Sequence, residues 1–378
     1  MSGQGRHLAF HFASLAAGGV EKMRLVLARE FLARGHRVDL VLCRAAGEYL
    51  DQLPAGARVI DLEAPRTRHA LLPLARYLRT ERPDALIASL PGQNLAAIVA
   101  ARLAGGTTPV FVTQHNALGP QSRSGPLGQK LVPSLYRWLL PQAAGVFAVS
   151  HGVADDLATL TGLPRDSITV LYNPACPDAL PVAPFADPFF ATGEPVVVAV
   201  GRLHRQKGFD MLIDAIALAN ATRPLRLALL GVGALHGTLA QQARQSGLAT
   251  RVAFYGFQAD PLIFMRHAAV LAVSSRFEGF GNVLVEAMAC GTPVVSTNCP
   301  SGPAEILEDG RYGRLVPVDD AAAMAAALLA SLQDPAPPAM LQARAQAFTI
   351  KAVADRYLAA IFGPEAAEKS PGGAGSAA

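Results

Sequence analysis

Residues 275–296 read SRFEGFGNVLVEAMACGTPVVS, and they are the most informative stretch of this 378-residue chain. The order of residue types predicts the end of a strand, a glycine-rich turn, a short helix and a new strand. Asn282 suits the N-cap of that helix, and Gly291 suits its end. The N–H groups of Val283 and Leu284 would then form an anion site at the positive end of the helix dipole.

Two carboxylates bracket this turn: Glu278 lies in it, and Glu286 lies one turn into the predicted helix. Carboxylate oxygens accept hydrogen bonds, which suits them to the hydroxyl groups of a sugar. Gly279 and Gly281 carry no side chain, so the backbone can approach a ligand closely there. Two carboxylates beside an anion site therefore indicate a sugar phosphate or a nucleotide sugar.

A basic motif lies upstream, where Gly201-Arg202-Leu203 and Gln206-Lys207-Gly208 follow an apolar strand predicted at 196–200. Arg binds phosphate oxygens through two N–H groups, whereas Lys acts as a point charge. Both side chains could reach one diphosphate across this turn. Fixed cations of this kind stabilise the negative charge that develops when a nucleoside diphosphate leaves.

Together with Gly18-Gly19-Val20-Glu21 near the start and 301–306 (SGPAEI) near the end, these motifs resemble the retaining glycosyltransferases of family 4. The resemblance covers nearly the whole chain. It implies the GT-B fold, in which two Rossmann-like, doubly wound α/β domains face each other across a cleft. It also implies transfer of a hexose or N-acetylhexosamine from a nucleotide sugar to a hydroxyl group, with no metal and no cofactor, since the nucleotide sugar is a substrate.

The acceptor implied by this resemblance is a glycan or a lipid-linked molecule. Residues 298–307 (NCPSGPAEIL) resemble members that build bacterial surface glycans, including lipopolysaccharide, on lipid carriers. Several such members use UDP-linked N-acetylhexosamines, which favours a UDP-sugar donor. Polysaccharide or glycoconjugate synthesis is therefore the expected process.

The resemblance also assigns roles to single residues. Arg202 and Lys207 would bind the donor diphosphate, and Glu286 would contact the ribose. His115, at the end of a predicted strand, would face the transferred sugar together with Glu278, although strand-edge histidines are often structural. The predicted catalytic residues are therefore Glu278, His115, Arg202 and Lys207. The further donor-binding residues that we expect are Gly18, Gly19, Gly256, Phe257, Gly279, Phe280, Gly281, Asn282, Val283, Leu284 and Glu286.

The domain organisation follows from length and patterning. A chain of 378 residues fits two domains, and apolar strands alternating with amphipathic helices predict parallel doubly wound sheets. We expect an acceptor-binding domain at 1–175 and, after a linker at 173–194, a nucleotide-sugar-binding domain at 190–350. By resemblance, a helix at about 352–362 crosses back onto the first domain. Residues 363–378 are rich in Gly, Ala, Ser and Pro, which predicts a disordered tail.

The chain shows neither a signal-peptide pattern nor a long apolar run, which predicts a cytoplasmic protein. The net charge is only +4, and we expect no nucleic-acid partner. Residues 64–140 nevertheless hold nine basic and two acidic residues. This bias fits either a peripheral contact with the cytoplasmic face of the inner membrane or ordinary solvated helix faces.

Several rival interpretations stay open at this stage. Glu278 and Glu286 could act as a general acid/base pair instead of binding hydroxyls. A GT-B nucleotide-sugar epimerase would use the same scaffold, and a non-catalytic nucleotide-sugar-binding scaffold protein would share the motifs. Residues 231–237 (GVGALHG) resemble a dinucleotide fingerprint, but their spacing is one residue too long.

Overall fold

The computed structural model of the chain describes residues 5–16, 18–119, 131–180, 182 and 184–368. The chain folds into two compact units, each built on one parallel sheet. One unit contains the chain up to Pro174 and the segment from Ile350 onward, and the other contains Ala175–Thr349. Two doubly wound Rossmann-like units confirm the fold class that the sequence predicts.

Within the described residues, the first unit has a seven-stranded sheet in the spatial order β3-β2-β1-β4-β5-β6-β7. Its strands are short and apolar, and β1, β4 and β5 are almost wholly buried because helices cover both faces. In chain order, the strands are β1 (His7–Phe12), β2 (Arg37–Leu42), β3 (Arg58–Asp61), β4 (Ala85–Ser89), β5 (Val110–Gln114), β6 (Gly145–Ala148) and β7 (Ile168–Val170).

Helices connect these strands, and their ends follow from local sequence. Helix α5 (His151–Thr161) begins after Ser150, whose hydroxyl accepts a hydrogen bond from the Val153 N–H over 3.2 Å. The same helix ends at Gly162, which adopts a left-handed conformation with φ of +73°. The helices of this part of the unit are α1 (Gly19–Ala33), α2 (Leu71–Glu81), α3 (Pro91–Leu103), α4 (Val132–Leu139) and α5 (His151–Thr161).

In the described part of the second unit, six strands form a sheet in the order β10-β9-β8-β11-β12-β13. The strands are β8 (Val196–Val200), β9 (Arg226–Leu230), β10 (Val252–Gly256), β11 (Val270–Val273), β12 (Val294–Thr297) and β13 (Arg314–Val316). The helices are α6 (Phe209–Asn220), α7 (His236–Gln245), α8 (Leu262–His267), α9 (Asn282–Ala289), α10 (Pro303–Ile306), α11 (Ala321–Gln333) and α12 (Pro338–Ala345).

The second unit begins earlier than the boundary predicted at residue 190. Aromatic side chains within the expected linker pack onto this unit: the Phe185 ring lies 5.2 Å from Phe264 and 4.7 Å from His267, centre to centre. The Phe190 ring contacts Phe264 at 6.0 Å. Large rings bury enough apolar area to fix a segment that lacks regular structure.

The last helices return to the first unit. Tyr357 of α13 (Ile350–Phe362) packs edge-on against Phe147 of β6, with 5.7 Å between ring centres. Gly363 then reverses the chain with φ of +91°, and α14 (Glu365–Glu368) follows. The prediction of disorder from residue 363 is therefore wrong for residues 365–368, where good helix formers allow another turn; 369–378 lie outside the described residues.

No helix in the described ranges combines the length and the apolar character that crossing a bilayer requires.

A buried carboxylate, Asp39, links several elements at one edge of the first unit through hydrogen bonds. Asp39 of β2 is fully buried and accepts hydrogen bonds from Tyr77 Oη over 2.6 Å and from Arg58 Nε over 3.0 Å. His7 Nε2 lies 2.8 Å from the same carboxylate. Burial alone would raise the pKa of Asp39, but these partners hold it well below its usual range.

We expect Asp39→Asn to lower the free energy of unfolding by about 2–3 kcal/mol at pH 7, because hydrogen bonds to a charged group are worth roughly 1.5–3 kcal/mol. The pKa of Asp39 is lower in the folded state, so its contribution is present above the unfolded pKa of about 3.9. The contribution is lost as the pH falls through the folded pKa. Urea unfolding of the wild type and the variant at several pH values measures both effects.

Asp166→Asn, the same change at an exposed position of the first unit, is the control and should leave the unfolding free energy within about 0.5 kcal/mol. Equal stability of wild type and Asp39→Asn at pH 7 would contradict the prediction.

Candidate functional site

The second sheet has a topological switch at β8, which pairs with β9 on one side and β11 on the other. Doubly wound sheets bind ligands at the carboxyl ends of the strands beside such a switch. The loops that follow β8 and β11 therefore form the candidate site. These loops carry Arg202, Lys207 and Glu278, three of the predicted catalytic residues.

Hydrogen bonds fasten the two loops to each other. The Arg276 N–H donates to the Gln206 carbonyl oxygen over 2.7 Å, and Gln206 Nε2 donates to the Phe277 carbonyl oxygen over 3.0 Å. Ser274 Oγ donates to the Lys207 carbonyl oxygen over 2.7 Å. Since each bond uses a backbone group, the path of both loops is fixed.

Gly208 makes this close approach of the loops possible. Its φ of +62° is left-handed, and a Cβ at this position would lie 2.1 Å from the Ser274 carbonyl oxygen. Any side chain would therefore strain the backbone and push the loops apart. The glycine at the end of the basic motif is required by contact between the loops.

Lys207 and Glu278 form an ion pair in this site, with 2.5 Å between Nζ and Oε1. Ser275 Oγ donates a hydrogen bond to the same Glu278 oxygen over 2.6 Å. The two charged side chains are only 18% and 8% exposed, so water screens their attraction weakly. The pair places a cation and a hydrogen-bond acceptor side by side at the topological switch point of the second sheet.

Arg202, unlike Lys207, has no carboxylate partner among the described residues. Its side chain is exposed, and none of the hydrogen bonds or ion pairs among the described residues uses its guanidinium group. A guanidinium that is exposed and unpaired can take up an anionic ligand without first losing a protein partner. Arg202 and Lys207 thus differ, because Lys207 is paired with Glu278 whereas the Arg202 guanidinium group is unpaired among the described residues.

The start of α9 departs from the sequence prediction. The helix begins at Asn282, and the residue at its N-cap is Gly281, with φ of +102°. The prediction of Asn282 as the N-cap is wrong, because the left-handed backbone at Gly281 makes the turn without a side-chain cap. The Leu284 N–H donates to the Gly281 carbonyl oxygen over 2.9 Å, so the predicted anion site retains only the Val283 N–H.

Three other predicted donor contacts are buried in the second unit. The Phe280 ring packs against Phe348 with 5.4 Å between centres, and Leu284 has no exposed surface. Gly279 is buried as well. Any contact of Phe280 or Leu284 with a ligand is therefore limited to backbone atoms.

The remaining predicted positions of this unit lie around the same sheet edge. Glu286 is half-buried on α9. The Gly256 carbonyl oxygen, at the end of β10, accepts a hydrogen bond from the Gly231 N–H over 2.7 Å. Phe257 follows and is 62% exposed, so its ring offers a surface to a flat ligand group.

In the first unit, Gly18 is the N-cap of α1, and Gly19 is exposed with no atom near its missing Cβ. A Cβ on Gly18 would lie 2.2 Å from Glu21 Oε2, so the glycine lets that carboxylate fold over the helix start. Burial raises the pKa of Glu21, and a hydrogen bond to its own N–H opposes the rise. An anionic ligand at this helix end would have to share it with Glu21.

His115 follows β5 at the carboxyl edge of the first sheet, as predicted, and is 6% exposed. Its Nε2 lies 3.1 Å from Nη2 of Arg24. Burial, and secondly the charge of Arg24, hold the pKa of His115 well below its usual range. The imidazole is therefore neutral at ordinary pH.

Arg24, to which none of the sequence motifs pointed, is 2% exposed and donates through Nε to Ser89 Oγ over 2.8 Å. The guanidinium carbon also lies 5.1 Å from the centre of the Tyr357 ring. A signal was present in the sequence, because Arg24 precedes Leu27 and Phe31 at helical spacing and so falls on the apolar face of α1.

Among the described residues, no group of three or more His, Cys, Asp and Glu side chains is arranged to hold a metal ion.

Comparisons with known proteins identify the family. Residues 17–178 match the Glycosyltransferase Family 4 model, and residues 194–334 match the model described as Glycosyl transferases group 1. The 2-deoxystreptamine N-acetyl-D-glucosaminyltransferase of Streptomyces fradiae is 30% identical over 319 residues, which cover 74% of each chain. The chain belongs to glycosyltransferase family 4. The resemblance predicted from the motifs is thus confirmed.

This family 4 member is also 30% identical over 237 residues to a Campylobacter jejuni enzyme, the N-acetylgalactosamine-N,N'-diacetylbacillosaminyl-diphospho-undecaprenol 4-alpha-N-acetylgalactosaminyltransferase. That alignment covers 62% of this chain and 63% of the relative. Among solved structures, Anabaena HepE in complex with UDP has a TM-score of 0.74 at 23% identity, covering 93% of this chain and 98% of HepE. This likeness concerns the fold, which is GT-B.

We expect Gly208→Ala to lower the free energy of unfolding by about 2 kcal/mol or more, because a left-handed alanine costs about 1–2 kcal/mol and its Cβ meets a backbone oxygen. The loops that carry Lys207 and Glu278 should separate as well. Urea unfolding of the purified variant measures the loss.

Gly237→Ala provides a matched control, because Gly237 lies in α7 with no atom within 4 Å of its missing Cβ. This change should leave the stability unchanged or raise it by up to about 1 kcal/mol. Equal stability of the two variants would contradict the steric argument.

Proposed function

We propose that this protein is a retaining, metal-independent glycosyltransferase. It moves a hexose or N-acetylhexosamine from a UDP-linked sugar to a hydroxyl group of a glycan or lipid-linked acceptor. The process would be the synthesis of a bacterial surface polysaccharide or glycoconjugate. The observation that carries the proposal is the contact of Lys207 with Glu278 at the switch point of the second sheet, where Arg202 lies in the same loop as Lys207.

The proposal assigns the donor diphosphate to Arg202 and Lys207. Arg202 is exposed and unpaired among the described residues, whereas Lys207 pairs with Glu278 and would exchange that partner for phosphate. Their combined charge opposes the charge that develops on the leaving diphosphate. Two protein cations can supply this stabilisation without a divalent metal.

The transferred sugar is assigned to Glu278. Its carboxylate accepts hydrogen bonds from Lys207 and Ser275 through Oε1, and the second oxygen has further lone pairs for sugar hydroxyls. Binding of the donor would move Lys207 toward phosphate and leave Glu278 to the sugar. Glu286 on α9 is assigned to the ribose, and the exposed ring of Phe257 to the base.

The proposed groups are compatible with retention of configuration, because the mechanism proposed here does not require a second carboxylate as a nucleophile. The bond between the anomeric carbon and the phosphate oxygen breaks while the acceptor oxygen attacks from the same face. The proton of the acceptor hydroxyl passes to the leaving phosphate oxygen. Arg202 and Lys207 hold that oxygen and lower the energy of the charged transition state.

UDP is the proposed nucleotide, and a lipid-linked glycan is the proposed acceptor. Residues 298–307 resemble members that build surface glycans on lipid carriers. HepE, which shares the fold, was solved with UDP, and the name of the Campylobacter relative includes a diphospho-undecaprenol acceptor. The first unit would receive this acceptor.

A peripheral membrane contact through α4 extends the proposal. Leu131, Leu135 and Trp138 recur at helical spacing and are 53%, 45% and 75% exposed, while Tyr136 of the same helix is fully buried. Arg137 is exposed between them. An apolar face with an exposed arginine beside it suits an anionic lipid surface, where the acceptor would reside.

The donor assignment predicts that UDP raises the melting temperature of the purified protein without added metal. A ligand at about a hundred times its Kd stabilises the folded state by about 2.7 kcal/mol. Arg202→Ala should weaken UDP binding at least about tenfold, since a charge-assisted contact is worth roughly 1.5–3 kcal/mol. A thermal-shift titration with UDP, GDP and ADP measures both effects.

Arg244→Ala removes an exposed arginine from α7 of the same unit and should leave UDP affinity unchanged. Equal UDP affinity of Arg202→Ala and the wild type would remove the diphosphate assignment. UDP release that does not depend on an acceptor hydroxyl would contradict transfer.

The membrane assignment predicts that Trp138→Ala weakens binding to vesicles of anionic phospholipid by about tenfold or more, because burying a large apolar side chain is worth roughly 1.5–3 kcal/mol. Sedimentation with vesicles measures the bound fraction. Leu218→Ala, at a 51% exposed leucine of the second unit, should leave binding unchanged. Unchanged vesicle binding of Trp138→Ala would contradict the contact through α4.

A further inference from the structure

Arg24 is an unusual buried charge. It is 2% exposed, and none of the ion pairs among the described residues includes it. Buried cations are ordinarily paired with a carboxylate because the loss of hydration is costly. The described partners of Arg24 are instead the hydroxyl of Ser89, the Nε2 atom of His115 and the face of Tyr357.

The contact with His115 fixes the state of the imidazole. A guanidinium group carries only N–H donors and cannot accept a hydrogen bond. At 3.1 Å from Arg24 Nη2, the His115 Nε2 atom must therefore offer its lone pair. A neutral imidazole with a bare Nε2 carries its proton on Nδ1.

The geometry around Arg24 makes this assignment rigid. Ser89 Oγ holds Nε over 2.8 Å, and the Tyr357 ring lies 5.1 Å from the guanidinium carbon. Three different elements, β4, the end of β5 and α13, thus fix one planar group contributed by α1. Burial and the charge of Arg24 together hold the pKa of His115 well below its usual range.

We propose that Arg24 is a positioning residue that holds His115 as the Nδ1–H tautomer, so that His115 serves its ligand as a hydrogen-bond donor. The Nε2 lone pair of His115 accepts the hydrogen bond from Arg24, so it cannot take a proton from the substrate as a general base. A neutral imidazole also has no acidic proton to give as a general acid. The identity of the ligand rests on the proposed function. In that transfer reaction, His115 orients the sugar through Nδ1–H and takes no part in proton transfer.

Nitrogen-15 NMR of the histidine side chains tests the tautomer directly, because protonated and bare ring nitrogens have well-separated chemical shifts. The chain has nine histidines, and the spectrum of His115→Gln assigns the signals of His115. At neutral pH and without ligand, we expect a protonated Nδ1 and a bare Nε2. A protonated Nε2 in the wild-type protein would overturn the proposal, whatever the activity of the enzyme.

Arg24→Met tests the role of the guanidinium group. It removes the donors at similar length, so the Nε2–H tautomer of His115 should appear in the spectrum. Arg29→Met makes the same change at an exposed position of α1 and should leave the signals of His115 unchanged. An unchanged His115 spectrum in folded Arg24→Met would overturn the assignment to Arg24, as would equal changes in both variants.

Two substitutions of His115 extend the test to transfer activity. The Asn side-chain nitrogen can take the place of Nδ1, whereas the Gln side-chain nitrogen can take the place of Nε2. If Nδ1–H is the functional donor, kcat/KM for sugar transfer should fall about threefold or less in His115→Asn and about tenfold or more in His115→Gln. The reverse order would overturn the proposal, whereas lack of transfer by the wild type would contradict the proposed function alone.

Discussion

The ion pair between Lys207 and Glu278 is the interaction on which the candidate site depends. The two residues come from loops that follow neighbouring parallel strands, β8 and β11, so their 2.5 Å contact requires the strand order of the second sheet. Removing two charges from water is costly, and that cost is offset here by a short contact and by the Ser275 hydroxyl. The left-handed Gly208 allows the two loops to come this close.

In the proposed function, this pair lets one small region recognise two kinds of chemical group. Lys207 would supply a charge for phosphate, and Glu278 would supply acceptors for hydroxyl groups. Without a ligand the two side chains are each other's partners, and donor binding would exchange this pairing for contacts with phosphate and sugar. Pre-organised groups of this kind reduce the ordering that binding must otherwise impose. Arg202, exposed and unpaired among the described residues, then completes the phosphate contacts in the proposed function.

The sequence predicted the fold well because its strands are short apolar runs with clear breaks, and β8 has the predicted bounds, 196–200. The grouping of Lys207 with Glu278 at a strand edge also followed from the motifs. The position of the N-cap at Gly281 did not follow from the motifs, because Gly and Asn both suit an N-cap and the backbone angle is set by the whole turn. The contact of Arg24 with His115 joins residues 91 positions apart, and such pairing depends on tertiary packing.

Calorimetric titration of Glu278→Gln with UDP and then with a UDP-sugar tests the proposed division of roles between Lys207 and Glu278. In the proposed function, Lys207 binds the diphosphate and Glu278 binds the sugar, whereas without a ligand the two side chains pair with each other. Glu278→Gln should therefore bind UDP at least as tightly as the wild type and lose affinity only for the UDP-sugar. A loss of UDP affinity as large as that in Lys207→Met would contradict this division of roles.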